Sequence, residues 1–329
     1  MTLVAGVLSA FFTDRLQQQR NASPNTIAAY RDVFRLLLGF AQVRLRKPPS
    51  ALPLADLDVT LVTEFLKHLE KQRHNSARTR NARLAAIHSF FRFVALQEPA
   101  HGATCQRVLA IPMKKTERKL ITSLSPTEQD ALLAAPDRSM WLGHRDHALL
   151  VLLLQTGLRV SEACDLRCED VVLSTGAHVR CRGKGRKERC TPLTRSTIAV
   201  MRAWLRLRRG LPVEPAFPSR RGTKLSRDAV ERMVSKCAMG ASAACSTLRA
   251  KRVTPHVLRH TAAVTLLRAG NDRAVIALWL GHESIETTQM YLDADLSMKE
   301  RALSRTAPLR TAPGRFIPED DLLAFLNAL

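Results

Sequence analysis

What the chain lacks narrows its function first. It has no long apolar run. None exceeds the seven residues of Ala148–Leu154, whereas a helix crossing a bilayer needs about 20. The mildly apolar stretch Leu3–Phe12 has no Lys or Arg before it and no convincing cleavage site after it, which argues against a signal peptide. There is no CxxC pair, and seven cysteines is an odd number. Cys164 and Cys168, with His178, Cys181 and Cys190 loosely nearby, do not have the spacing of a four-ligand zinc site. They are expected to be small buried apolar residues in a reducing, cytosolic setting. No internal repeat or low-complexity tract is evident. Tyrosine is almost missing: the chain has two, Tyr30 and Tyr291. Acidic side chains are also scarce, with 29 Asp and Glu against 51 Lys and Arg and a net charge of +22. Such an excess repels itself in a compact state, so the natural partner is a polyanion. Nucleic acid leads, and an anionic membrane surface is second.

What is present describes a folded protein. The 329 residues suggest two domains. A hydrophobic share of 46% with 24% charged residues supplies sizeable cores and excludes disorder for most of the length.

The first hundred residues read as four helices. The first runs over about 4–19. Ser23-Pro24 opens the second, as an N-cap followed by proline at the first helical position, and Ile27, Tyr30, Phe34, Leu37 and Leu38 have helical spacing. The third covers about 59–72, with Val62, Phe65, Leu66 and Leu69 on one face, and the fourth about 77–96, with Leu84, Ile87, Phe91 and Val94 inward. Arg78, Arg80 and Arg83 cluster at the start of the fourth helix. They are either a solvated charged face or DNA contacts. Up to residue 110 there are 15 Lys and Arg against 7 Asp and Glu, and beyond it 36 against 22, so both parts can touch one polyanion. The basic stretch from Pro112 to Lys119 reads as a linker. The expected organisation is an N-terminal helical DNA-binding domain over 1–110, a basic linker over 111–122, a second domain over 123–310 and a tail over 311–329.

The second part is expected to be mainly α with one small sheet. Ser125-Pro126 opens a helix that ends near Pro136. The helix 144–156 carries the apolar run and stops at Gly157, a good C-cap. A short helix begins near Val160. Residues 178–193 read as a β-hairpin turning at Gly183-Lys184-Gly185. Further helices are expected over about 196–208 and 227–238, from Thr254-Pro255 to Gly270, from Asp272 to Gly281, and from Ser284 through Leu292.

Several polar residues of this part are weak signals alone. Arg159, in Thr156-Gly-Leu-Arg-Val-Ser-Glu162, could simply pair with Glu162. Lys184 could be a solvated turn lysine, His282 a helix cap and Tyr291 a core aromatic. His256 and Arg259 are three apart near a helix start and should project from one face. Together they form a set for metal-free phosphoryl transfer: two guanidinium forks for phosphate oxygens, two imidazoles, a lysine able to protonate a leaving oxygen, and a tyrosine nucleophile.

In order, Thr-Gly-Leu-Arg159, Gly-Lys184-Gly, His256-Val-Leu-Arg259-His, Leu-Gly-His282 and Gln-Met-Tyr291 closely resemble the tyrosine recombinase, or phage integrase, family. The resemblance covers about residues 5 to 300 and is strongest after residue 120. It implies an N-terminal SAM-like core-binding domain and a C-terminal DNA breaking-rejoining domain that clamp double-stranded DNA. It implies that Tyr291 attacks a phosphodiester to give a 3′-phosphotyrosyl link and a free 5′-hydroxyl. Arg159 and Arg259 would hold the phosphate, His256 and His282 would assist by hydrogen bonding and proton handling, and Lys184 would be the general acid. Lys187 is the runner-up for that last role, and Arg186 and Lys187 are candidate DNA contacts. Glu162 would orient Arg159. Tyr30 sits on an apolar helix face and reads as core. No metal, ATP or other cofactor is expected. Family members assemble as tetramers on two specific DNA sites, sometimes with partner recombinases or accessory DNA-bending proteins, and the expected location is cytoplasmic, at the nucleoid.

The sequence departs from compact Xer-type members after the tyrosine. It continues for 38 residues beyond Tyr291, and Leu292-Asp293 stand where many relatives have Thr-His. The last 19 residues hold one Arg against one Glu and two Asp, and Leu322, Phe325, Leu326 and Leu329 recur at i, i+3, i+4 and i+7. This amphipathic helix could pack on its own domain or dock on a neighbouring protomer. The long tail favours a mobile-element integrase or transposase. The alternatives are resolution of chromosome or plasmid dimers, a type IB topoisomerase, and a DNA-binding relative without catalysis.

Overall fold

The computed structural model describes residues 2–116, 121–182 and 188–281. The chain divides into two compact units, residues 1–118 and 119–329.

The first unit is helical. Helix α1 (Val4–Ala10) runs on into a π-helical segment (Phe11–Gln19), followed by α2 (Pro24–Leu45), α3 (Val59–Lys71), α4 (Ala77–Gln97) and α5 (Gly102–Leu109). The starts of α2, α3 and α4 are fixed by side-chain caps. Ser23 accepts from the Thr26 N–H, Asp58 from Leu61 and Ser76 from Thr79, each satisfying a backbone donor that the first turn leaves open. The core is aromatic. Phe11 lies at its centre, edge-on to Phe34 and Phe90 and stacked with Tyr30 at 6.3 Å. Tyr30 therefore takes the packing role expected of it.

Helix α5 is an addition to the four expected helices. It has only eight residues and begins at a glycine, so it carries little periodic signal. Cys105 and Val108 bury its inner face, and His88 on α4 shares a hydrogen bond with the Val108 carbonyl. The segment expected to begin the linker is held to this unit. Ile111 is buried, the Arg80 Nη1 donates to the Pro112 carbonyl at 2.8 Å, and Asn81 exchanges two hydrogen bonds with the Lys114 backbone.

The second unit contains α6 (Pro126–Ala134), α7 (Trp141–Thr156), α8 (Val160–Asp165), β1 (Val171–Val172), β2 (His178–Arg182), β3 (Glu188–Pro192), α9 (Arg195–Arg208), α10 (Arg227–Ala241), α11 (Pro255–Arg268) and α12 (Arg273–Leu280). Ala148, Leu149, Leu150, Leu152 and Leu153 are all buried, so α7 is covered around most of its circumference, with Val151 and Gln155 half-buried. That placement explains why its apolar residues form a run and not a stripe. The sheet is antiparallel in the order β1-β2-β3. The expected hairpin is β2–β3, and the two-residue β1 joins it as a third strand. Val179 and Cys181 alternate inward on β2, and Arg189 on β3 stands opposite Cys181. The helix expected over 284–292, the hairpin turn and the tail lie outside the described residues. Among the described residues no helix is long and apolar enough to cross a membrane.

Candidate active site

Glycine makes the first turn of the site. Gly157 ends α7 with φ +63°, a left-handed conformation that suits glycine. Closeness demands it as well. A Cβ there would stand 2.6 Å from Cδ2 of Leu280 and 3.2 Å from Cβ of Ala262. Helix α12 can therefore press its last turn against the end of α7. The Thr156 carbonyl takes the Trp279 indole N–H at 3.1 Å, and the Gly157 carbonyl takes Arg259 Nη1 at 2.6 Å.

The opposite end of this contact gathers three arginines. Three consecutive carbonyls close α12. Arg189 Nε donates to that of Trp279 at 3.2 Å, Arg259 Nη2 to that of Leu280 at 2.7 Å, and Arg159 Nη2 to that of Gly281 at 2.8 Å. The last carbonyls of a helix have no intrahelical donor and carry the negative end of its dipole, so cations are stabilised there. The arginines come from β3, α11 and the turn after α7, and the next residue in the chain is His282.

Glu162 sets the other side of the cluster. It is buried in the first turn of α8. Its Oε1 accepts from Arg159 Nη1 at 2.9 Å and from Arg189 Nη1 at 2.9 Å. Its Oε2 accepts from the Arg159 backbone N–H at 2.8 Å and from Arg189 Nη2 at 2.7 Å. Burial alone would raise the pKa of this carboxyl. The hydrogen bonds and charge of Arg189, then those of Arg159, overcome it and hold the group below the ordinary carboxylate value. The Arg159 side chain keeps 32% of its surface exposed, against 12% for Arg189. Of this pair, Arg159 is the more open to a ligand.

His256 and Arg259 both lie in the first turns of α11, but they are not equivalent. Arg259 is buried, whereas His256 is exposed. The His256 ring meets the ring of His260 edge-on at 4.1 Å. Desolvation by the protein packed beside it, and then the Arg259 charge, push the His256 pKa below its ordinary 6.5.

Residues 122–298 match the Phage integrase family, and residues 10–98 match the N-terminal SAM-like domain of phage integrases. The chain belongs to the phage integrase family. It is 56% identical over 99% of its length, and 98% of the relative's, to y4rC of Sinorhizobium fredii (strain NBRC 101917 / NGR234), which carries an integrase/recombinase name. It is 32% identical over 92% of its length, and 95% of the relative's, to the tyrosine recombinase XerC of Pelobacter propionicus. In fold it is similar to the XerH site-specific recombinase crystallised on a difH substrate, with a TM-score of 0.70, 24% identity, and coverage of 90% of this chain and 84% of that one. The chain is accordingly a tyrosine-type site-specific recombinase, an enzyme of a family that cleaves and rejoins DNA.

Of the recombinase residues expected from sequence, the structure gathers Arg159, Glu162 and Arg259 around the end of α12, and His256 lies near Arg259 on α11. Lys184, Arg186, Lys187, His282 and Tyr291 lie outside the described residues. Arg189 was not among the expected residues. Its signal was available only after the strand register was known: an arginine on the inward face of β3, opposite buried Cys181. Among the described residues, no group of three His, Cys, Asp or Glu side chains could hold a metal ion.

The three arginines of the first unit separate. Arg78 is exposed. Arg80 is turned inward and is committed to the Pro112 carbonyl and the Asn81 side chain, so its contribution is to the fold. Arg83 is half-buried, and its Nη1 is buried with no hydrogen-bond partner among the described residues. Desolvation and the nearby charge of Arg73 lower its pKa.

Proposed function

We propose that this recombinase cuts DNA with Tyr291 and serves a mobile genetic element. The tyrosine oxygen attacks a phosphodiester phosphorus, the bond to the 5′ oxygen breaks, and a 3′-phosphotyrosyl link and a 5′-hydroxyl result. Lys184 gives its proton to the departing 5′ oxygen, with Lys187 the second candidate. His256, kept neutral near pH 7 by its lowered pKa, and His282 bind the phosphate and handle the tyrosine proton. Arg159 and Arg259 hold the non-bridging oxygens and stabilise the charge that develops on them.

The observation that carries this reading is the set of three carbonyls at the end of α12. Arg159 and Arg259 are fixed to adjacent carbonyls, those of Gly281 and Leu280, immediately before His282 in the chain. Two preorganised guanidinium groups suit a phosphate bound without metal. The link conserves the energy of the broken bond, so a 5′-hydroxyl of another strand can reseal it without ATP. The SAM-like domain supplies the second half of a DNA clamp, with Arg78 and Arg83 on the phosphate backbone. The likeness to y4rC along nearly the whole chain supports the integrase role. Strand exchange takes four protomers on two specific sites, inside the cell where DNA is kept, and the acidic tail 311–329 docks on a neighbouring protomer.

Covalent trapping tests the reading. The protein is incubated with pooled, nicked genomic fragments from its own source and run on a denaturing gel, with Tyr291→Phe beside it. A denaturation-resistant adduct that is absent from the variant is expected. DNA binding with no adduct on any fragment would favour a binding-only relative, and relaxation of supercoiled DNA without site preference would favour a topoisomerase.

A further inference from the structure

We infer that Arg189 is a positioning residue of the recombination reaction, acting through Glu162 on Arg159. The inference rests on the phosphoryl-transfer reading above. Arg189 is less exposed than Arg159, and its guanidinium is committed to partners within the protein. All three of its guanidinium nitrogens are used. Nη1 and Nη2 form a two-point fork on Glu162, at 2.9 and 2.7 Å, and Nε donates to the Trp279 carbonyl at 3.2 Å.

Those bonds join three parts of the site. Glu162 in turn holds the Arg159 guanidinium and backbone. The Trp279 carbonyl begins the row that also fixes Arg259 and Arg159. Arg189 stands on β3, two residues after Lys187 and five after Lys184, so the strand that follows the two lysines in the chain is tied to the same carboxylate. The approach is close: a Cβ on Gly281 would lie 2.8 Å from Arg189 Nη1. Without Arg189, Glu162 would keep Arg159 as its guanidinium partner and would be freer to rotate. The fork of Arg189 fixes both carboxylate oxygens in one plane, which leaves Oε1 in place for Arg159. Lysine could supply the charge but not the fork.

The test uses the full chain and a nicked duplex carrying the sequence that the wild-type protein traps. Single-turnover cleavage and duplex affinity are measured for Arg189→Met, Arg189→Lys, Glu162→Gln and the Glu162→Gln/Arg189→Met pair. Arg189→Met should slow cleavage at least tenfold with affinity within about twofold, and Arg189→Lys should fall between it and wild type. In the Glu162→Gln background, Arg189→Met should add little further loss, because its effect passes through that carboxylate. Wild-type cleavage by Arg189→Met or Arg189→Lys would overturn the inference, and so would losses that multiply in the pair. If Arg189→Met fails to fold, Arg189→Lys and the charge-neutral pair decide, with the same criteria. Absence of any adduct with the wild-type chain would instead count against the functional reading itself.

Discussion

Arg189 grips Glu162 at both carboxylate oxygens, Nη1 to Oε1 at 2.9 Å and Nη2 to Oε2 at 2.7 Å. The carboxylate is shared with Arg159 and is 3% exposed. Removing one partner of a buried ion pair leaves charge without compensation, which costs about 3–5 kcal/mol. Glu162→Ala should destabilise the second unit by that order, read as a shifted urea midpoint. An unchanged midpoint would show that water replaces the carboxylate.

Two arginines three residues apart on α4 should behave oppositely. Arg80→Ala leaves the Pro112 carbonyl without its donor and should lower the stability of the first unit by about 1–3 kcal/mol. Arg83→Ala should spare stability, weaken DNA binding on all sequences and reduce the salt dependence by about one unit of slope. Titrations at several salt concentrations check this. Equal effects of the two substitutions on DNA affinity would contradict the assignment.

Acid should destabilise the protein in two stages. His88, His147 and His256 have pKa values pushed below the ordinary 6.5, in each case chiefly by desolvation from the protein packed around the ring. The unfolded chain binds their protons first, so their contribution is full above about pH 6.5 and declines as pH falls towards the lowered folded values. Glu128 and Glu162 follow. Burial raises both, but Lys251 at Glu128 and Arg189 at Glu162 bring the net value below 4.5. Their contribution is present above 4.5 and is lost as pH falls through the folded pKa values. Urea unfolding between pH 8 and 4 should show stability falling throughout, and a rise on acidification would refute the burial argument.

Gly157→Ala should disable the site without touching a charged group. The new methyl would meet Leu280 at 2.6 Å in a backbone conformation with φ +63°. Strain of about 1–3 kcal/mol and displacement of the end of α12 should follow. The cleavage rate should fall more than DNA affinity, and wild-type cleavage would show that the carbonyl row tolerates movement.

The sequence made the helices legible wherever a start signal was present, as at Ser23-Pro24, Ser125-Pro126 and Thr254-Pro255. Short elements escaped for a physical reason. Helix α5 and strand β1 owe their existence to packing against α4 and β2, which no local propensity encodes. The same limit applies to the site. Arg159, Glu162, His256 and Arg259 stand in recognisable local strings. Arg189 earns its place from contacts with Glu162, 27 residues away, and Trp279, 90 residues away, which become visible only in three dimensions. Helical spacing placed His256 and Arg259 side by side, but it could not show that one faces solvent while the other is buried.

The central claim is that Tyr291 becomes joined to a DNA 3′-phosphate. The adduct trapped on nicked DNA can be trimmed with nuclease, digested with trypsin and sequenced by mass spectrometry. The account predicts a nucleotide 3′-phosphate on the peptide containing Tyr291 and a free 5′-hydroxyl on the released strand. A nucleotide on any other residue, or linkage through a 5′-phosphate, would contradict it.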